Sequence, residues 1–138
     1  MSSVENIQHL NELFAEELEA GIRYLHLAVT VKGLDRLVVQ QTLLKGMQET
    51  FEHAQTIAER IMQMGGVPSL DLKLSVPAQK VSGAEAIRTA IAFEQAALDS
   101  YRELCDKIQD DVALEEFVRA QVGVESQHVA ELSLLVEE

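Results

Sequence analysis

Apolar residues recur at steps of three and four along four stretches of this chain, and that spacing predicts four long amphipathic helices. Gly33 and Gly65 are stop signals for the first two helices. A capping box that begins at Ser82 opens the third helix, and Asp111 is a suitable N-cap for the fourth. We therefore expect helices over about residues 4–31, 35–64, 82–109 and 111–136.

The connections between these stretches predict how the helices are arranged. Short turns join the first helix to the second and the third to the fourth, so each pair should form an antiparallel hairpin. Residues 65–81 hold both prolines and show no helical pattern. At about 3.3 Å per residue, this stretch is long enough to cross the full length of a helix. We expect an all-α four-helix bundle in which two hairpins are joined by a long crossover, with residues 1–138 forming a single domain.

Five side chains of the metal-binding type lie on the inward faces of the predicted helices, close to their midpoints. Burying a charged group without a partner is unfavourable, so such groups point to a compensating ion. In aligned helices, equal distance from the midpoint means equal height, so these groups should meet in one layer. Tyr24 and Tyr101 should bond the carboxylates from the core through their hydroxyl groups. The pattern predicts a two-metal carboxylate site, with candidate ligands and catalytic residues Glu17, His53, Glu94, Glu125 and His128.

The spacing of the last two candidates has a chemical reason. Glu125 and His128 are three residues apart and therefore share one face of a helix, where both can reach the same metal cluster. His53 taken alone is more simply an ordinary, partly buried histidine. Pairing with a buried Arg or Lys is the alternative to metal binding for Glu17 and Glu94. No basic residue is expected on the inward faces at that depth, which favours metal binding by Glu17 and Glu94 over pairing with Arg or Lys.

The composition of the chain narrows the class of protein. Apolar residues make up 47% of the sequence but aromatic residues only 4%, which is typical of a helical protein. The formal net charge of −12 argues against nucleic-acid binding, which needs a basic surface. An acidic surface attracts cations, although the simpler interpretation of this charge is that it keeps the protein soluble. No stretch of about 18 apolar residues is present, so no membrane span is expected. The polar start and the single cysteine, Cys105, predict a cytoplasmic protein.

Segments from all four predicted helices match the pattern of a known family. The matching segments are residues 10–13, 17–20 and Tyr24, then 53–54, 59–61 and the turn at 66–70. Glu94 and the Glu125-x-x-His128 pair lie where that family keeps ligands on its third and fourth helices. On these residues the chain resembles the bacterioferritin branch of the ferritin-like superfamily, over essentially its whole length. The resemblance implies a ferritin-like four-helix bundle.

The same resemblance implies a chemistry, namely a di-iron ferroxidase centre that oxidises Fe(II) with oxygen or peroxide. Glu17 and Glu94 would each hold one iron, and Glu125 would bridge the two. His53 and His128 would each be a further ligand of one iron. The ferric mineral would be stored in a shell of many subunits, so a homo-oligomer, at least a dimer, is expected. Manganese or zinc in the same site is the alternative to iron.

Two positions of the second helix differ from the family pattern. Thr50 stands where the family has a second bridging Glu, and since a hydroxyl group is a poor iron ligand, reduced ferroxidase activity is expected. Glu49 or Glu52 would replace it only in a locally distorted helix, for example at a π-bulge. Phe51 stands where the family has its haem-ligating Met, so no haem is expected.

The sequence leaves three functions open. The first is an iron-binding, iron-oxidising protein of reduced activity. The second is a non-catalytic, structural ferritin-like subunit that co-assembles with an intact relative. The third is a di-metal oxidase or peroxidase that uses other metals. The sequence ends soon after the fourth predicted helix, so no fifth helix is expected, and a dimer or other small assembly is the alternative to a large cage.

Overall fold

The computed structural model describes residues 3–137, and four long helices account for most of them. The predicted helix ends agree with the observed ones to within one or two residues. The all-α bundle of two hairpins joined by a crossover is thereby confirmed. Its helices are α1 (Ser3–Thr30), α2 (Arg36–Gln63), α3 (Gly83–Lys107) and α4 (Val112–Leu135).

The helix ends form where the capping residues predicted them. The Ser82 hydroxyl accepts a hydrogen bond from the backbone N–H of Glu85 at 3.2 Å. The Asp111 carboxylate accepts one from the N–H of Leu114 at 3.0 Å, and so begins α4. Gly65, just after α2, has a φ of +88°, a left-handed conformation that favours glycine. These local interactions satisfy backbone groups that a helix end would otherwise leave unpaired.

The crossover between α2 and α3 runs along α1 and ends in a short β-pair that the sequence analysis did not predict. Asn11 bonds the backbone at residues 67 and 69, and the Glu19 carboxylate accepts from the N–H of Lys73 at 2.6 Å. Strand β1 (Val31–Lys32) then pairs in parallel with strand β2 (Val81–Ser82). Two-residue strands carry no periodicity that a sequence pattern could reveal. The pair ties the end of α1 to the start of α3.

The core consists of two apolar clusters at opposite ends of the bundle. Each helix contributes to both, and on each helix a buried polar side chain lies between the two contributions. One cluster includes Leu10, Ile57, Tyr101 and Val118, and the other includes Ala28, Leu43, Ala90 and Leu132. The residues buried between them include Glu17, Thr50, Glu94 and Glu125. The polar groups therefore form one layer at the middle of the bundle, as the depth argument predicted.

Two leucines that continue the apolar spacing of three and four, and that would therefore be expected inside, are exposed. Leu25 is 45% exposed and Leu135 is 59% exposed, whereas Leu27 is buried. The helix faces are therefore rotated slightly from the predicted stripes, because the axial rotation of a helix is set by its packing partners. Among the described residues, no helix is long and apolar enough to cross a membrane.

Two glycines let α1 and α2 approach closely beside the polar layer. A Cβ atom on Gly46 would lie 2.6 Å from the ring of Tyr24, and one on Gly21 would lie 2.5 Å from the ring of Phe51. Both aromatic rings therefore lie directly against the backbone of the neighbouring helix. This packing holds Tyr24 in place next to the polar layer.

Candidate metal centre

Three carboxylates from three helices are buried at the middle of the bundle. Glu17 on α1 and Glu94 on α3 are each 2% exposed, and Glu125 on α4 is 1% exposed. His53 on α2 and His128 on α4 border them and are only slightly exposed. The structure thus brings all five predicted side chains together at one level.

These side chains form two groups that share one carboxylate. In the first group, Nδ1 of His53 lies 3.5 Å from Oε2 of Glu17 and 3.4 Å from Oε1 of Glu125. In the second, Nδ1 of His128 lies 3.5 Å from Oε2 of Glu94, again with Glu125 beside them. Within each group, one ligand atom per residue lies within 4.8 Å of the others. Each group could hold a cation, and Glu125 belongs to both.

The polar atoms of the site fit bound cations. Oε2 of Glu17, of Glu94 and of Glu125 and Nδ1 of His53 are buried and have no hydrogen-bond partner within residues 3–137. Buried polar atoms are otherwise nearly always paired. Two divalent cations would satisfy these atoms together. Carboxylate oxygens with imidazole nitrogens suit iron, manganese and zinc alike.

Two tyrosines lie beside the carboxylates on the core side, and the predicted hydrogen bond to a carboxylate is confirmed for one of them, Tyr24. The Tyr24 hydroxyl donates a hydrogen bond to Oε1 of Glu94 at 3.0 Å. Tyr101 is fully buried and lies close to Glu17. Burial and the nearby carboxylates raise the pKa of both phenols above the usual value, so both stay protonated. The Tyr101 hydroxyl has no hydrogen-bond partner among residues 3–137.

Without a cation, the charges of the site are balanced by protons. Burial raises the pKa of Glu125 from 4.5 to about 9, with Glu94 and Glu17 adding to the effect. Burial alone would lower the pKa of His53, but Glu125 and Glu17 raise it from 6.5 to about 10. The pKa of His128 is raised as well, chiefly by Glu94. Cation binding must therefore displace protons from Glu125 and His53, which makes affinity depend on pH.

Thr50 and two acidic residues next to it, Glu49 and Glu52, lie at different positions relative to the site. Thr50 is buried in the polar layer but offers no carboxylate, and α2 is a regular α-helix there, without a π-bulge. Glu52 is exposed, as predicted. A regular helix should direct Glu49 away from the site, but its Oε2 lies 2.9 Å from Nε2 of His128, on the outer side of the ring. No sequence signal marks this contact, because it joins two helices.

A cleft between α2 and α4 leads from the surface to the site. Its volume is about 590 Å³. The rings of His53 and His128 stack at its floor, with centroids 5.8 Å apart and planes 17° apart. Gly123 lies in the wall of the cleft, and a Cβ atom there would meet nothing within 4 Å. Ions and small oxidants can therefore reach the two histidines from solvent.

A four-helix bundle with a long crossover and a central layer of carboxylates and histidines is the architecture of ferritin-like di-iron carboxylate proteins. The sequence profile of the ferritin-like domain matches residues 7–138. The chain therefore belongs to the ferritin-like family, and the predicted resemblance is confirmed. No curated protein matches the chain significantly.

Solved structures of ferritin-like proteins superimpose on nearly the whole chain. A ferritin-like, diiron-carboxylate protein from Bacillus anthracis str. Ames has a TM-score of 0.88 at 28% identity, covering 99% of this chain and 100% of that one. The bacterioferritin-related, dodecameric thioferritin of Bacteroides fragilis has a TM-score of 0.84 at 25% identity, covering 96% and 84%. A Dps protein from Bacillus brevis has a TM-score of 0.88 at 19% identity, covering 99% and 100%, which shows the fold alone.

Proposed function

We propose that this protein binds Fe(II) at the central layer of its bundle and oxidises it with oxygen or peroxide. The observation that carries the proposal is the pair of ligand groups sharing Glu125, with buried oxygens that have no hydrogen-bond partner in the described chain. The diiron-carboxylate protein of Bacillus anthracis, similar over nearly the whole chain, supports iron over other metals. Manganese and zinc suit the same ligand atoms and remain the alternative occupants.

The residues of the chain would divide the work as their positions suggest. Glu17 and His53 would hold one iron, Glu94 and His128 would hold the other, and Glu125 would link them. Each Fe(II) would lose one electron, and the two electrons with two protons would reduce hydrogen peroxide to two water molecules, or oxygen to hydrogen peroxide. The apolar clusters on both sides restrict water, and the Tyr24 hydroxyl fixes the carboxylate of Glu94. Protons that leave the histidines and Glu125 on iron binding are released through the open cleft.

Thr50 is the basis for proposing reduced activity. A second bridging carboxylate would lower the charge of the metal pair and hold the two ions together, and a threonine hydroxyl does neither well. The site is therefore expected to bind its second iron more weakly than a site with two bridges. The same substitution also favours the alternative of a non-catalytic subunit, which the following titration tests.

An anaerobic Fe(II) titration of the metal-free protein should reveal two ions bound per subunit, with protons released on binding. Two ions are expected because there are two ligand groups. Isothermal calorimetry in buffers of different ionisation enthalpy measures both quantities. Glu52→Gln, a charge removed from an exposed position of α2, is the matched control and should change neither.

Other stoichiometries would contradict the di-iron proposal. A single bound ion would indicate a mononuclear or mixed-metal site. The absence of bound iron would favour a structural subunit that keeps only the remains of a site. If two ions bind but are not oxidised on exposure to oxygen or peroxide, the proposed metal site would stand and the proposed ferroxidase activity would be wrong.

We also propose that copies of this chain associate through α1 and α2. Leu25 and Val29 on α1 and Leu37 and Val38 on α2 are large apolar residues exposed on these neighbouring helices. Exposed apolar patches of this kind mark protein–protein contacts. The Bacteroides fragilis thioferritin is dodecameric, which supports an assembly of several subunits. If the assembly encloses a cavity, ferric product is stored inside it. The single, unpaired Cys105 fits a cytoplasmic location.

Leu25→Asp combined with Leu37→Asp should reduce the size of the assembly, to a dimer or monomer. A charge at each position would have to be buried in the contact, which is unfavourable, whereas both positions are solvent-exposed in the single chain. Size-exclusion chromatography with light scattering measures the mass. Leu134→Asp, at an exposed apolar position of α4, is the control. An unchanged mass in the double variant would contradict the proposed interface.

A further inference from the structure

His128 contacts carboxylates with both of its ring nitrogens. Nδ1 faces the site and lies 3.5 Å from Oε2 of Glu94. Nε2 faces outward and lies 2.9 Å from Oε2 of Glu49, which is within hydrogen-bonding distance. The two contacts come from different helices, α3 and α2, so the ring is held between them.

A neutral imidazole can bind a metal through only one nitrogen while the other carries the proton. For His128 to bind a cation through Nδ1, its proton must sit on Nε2. A carboxylate next to that nitrogen stabilises this tautomer, fixes the ring and makes the ligand more basic. Glu49 is the carboxylate in that position.

The second histidine of the site lacks such a partner. His53 also turns Nδ1 inward, toward Glu17 and Glu125. Among residues 3–137, the only carboxylates within 4.0 Å of its ring nitrogens are those of Glu17 and Glu125, and both contacts are made by Nδ1. The two halves of the site are therefore equal in their direct ligands but differ in what supports the histidine. An effect of Glu49 should appear at one cation position and not at the other.

We infer that Glu49 is a positioning residue for His128, selecting the ring orientation in which Nδ1 binds the cation shared with Glu94 and Glu125. The inference rests on the proposed di-metal function and extends it to a residue outside both ligand groups. Glu49 is about one-third exposed, and Lys45 approaches its other oxygen at 3.8 Å. A carboxylate that supports a metal-binding histidine changes metal affinity by about 10- to 100-fold. Because Glu49 is partly exposed, we expect its effect at the lower end of this range.

The test is a Zn(II) titration of the full-length metal-free protein and its Glu49→Ala variant, followed by long-range ¹H–¹⁵N NMR of histidine-labelled samples. The chain has only four histidines, so the signals of His53 and His128 can be assigned by substituting each in turn. Zn(II) is diamagnetic, and the ¹⁵N shifts identify which nitrogen of each ring binds it. Glu49→Gln keeps an acceptor oxygen and serves as the conservative variant. Glu52→Ala, at an exposed position of the same helix, is the control.

In the unmodified protein, His128 should bind Zn(II) through Nδ1 with its proton on Nε2. In Glu49→Ala, affinity at the His128 position should fall by about tenfold and the ring should populate both tautomers, with no change at His53. Glu49→Gln should restore part of the affinity. Unchanged affinity and tautomer in Glu49→Ala would overturn the inference alone, as would equal weakening at both histidines or Zn(II) on Nε2 of His128. Absence of Zn(II) from both histidines of the unmodified protein would overturn the proposed function together with this inference.

Discussion

Replacing Glu125 with glutamine should remove both metal ions from the protein and stabilise the metal-free form at alkaline pH. Glu125 is the one residue present in both ligand groups, so its loss affects both cations. Glutamine has nearly the same shape but no charge to offer a cation. We expect each affinity to fall by more than about 100-fold, beyond the effect of a supporting residue. Metal analysis after dialysis against Fe(II) or Zn(II) measures the loss.

Glu17→Gln is the matched control for this result. Glu17 belongs to the His53 group only, so the substitution should weaken one cation and spare the other. If Glu125→Gln instead kept one tightly bound ion, Glu125 would not link the two positions. Circular dichroism of each variant verifies that the helices are retained.

The pH dependence follows from the directions of the pKa shifts. The pKa of Glu125 is raised from 4.5 to about 9 by burial, so the unfolded chain loses this proton first and the folded state is destabilised as pH rises from about 4.5 to about 9. The raised pKa of His53 stabilises the fold fully below about 6.5, and this contribution is lost as pH rises through about 10. The pKa of Glu94 is lowered, mainly by His128 acting against burial, so its contribution is present above 4.5 and lost in acid.

The metal-free protein should therefore lose thermal stability between about pH 6.5 and 9.5. Melting temperatures measured with a chelator across this range should fall less steeply in Glu125→Gln, which has no proton to lose. Bound metal should flatten the profile as well, because the cation replaces the protons. Equal slopes for the variant and the unmodified protein would show that Glu125 does not hold its proton to high pH.

Replacing Thr50 with glutamate should increase the rate of Fe(II) oxidation. Thr50 lies in the polar layer, where a longer acidic side chain meets the two cation positions and supplies the second bridge. We expect a gain of about tenfold, equivalent to about 1.4 kcal/mol of the barrier. Stopped-flow absorbance after mixing with oxygen or peroxide measures the rate. The metal-free variant should be less stable than the unmodified protein, since it buries one more carboxylate.

Thr50→Gln and Thr50→Val separate charge from size in this experiment. Glutamine has the volume of glutamate without the charge, and valine has the shape of threonine without the hydroxyl. Neither should accelerate oxidation. A rate in Thr50→Glu no higher than in Thr50→Gln would argue against a working iron site and favour the non-catalytic subunit.

The sequence alone was sufficient to predict the helices and the layer of candidate ligands. Helix formation and capping depend on neighbours a few residues away, so the start of α3 at Ser82 and of α4 after Asp111 could be predicted locally. The height of Glu17, Glu94 and Glu125 could also be predicted, because distance along a helix is proportional to residue number. Their burial in one polar layer agrees with that reasoning.

Contacts between elements were decided only by the tertiary structure. The pairing of Val31 with Val81, the exposure of Leu25 and the approach of Glu49 to His128 depend on how each helix is rotated and shifted against its neighbours. A periodic pattern defines an apolar face broadly, and a rotation too small to disturb that pattern moves a border residue from solvent to a neighbouring helix. The positions of the predicted ligands thus followed from the sequence, whereas the contact that supports His128 required the packed bundle.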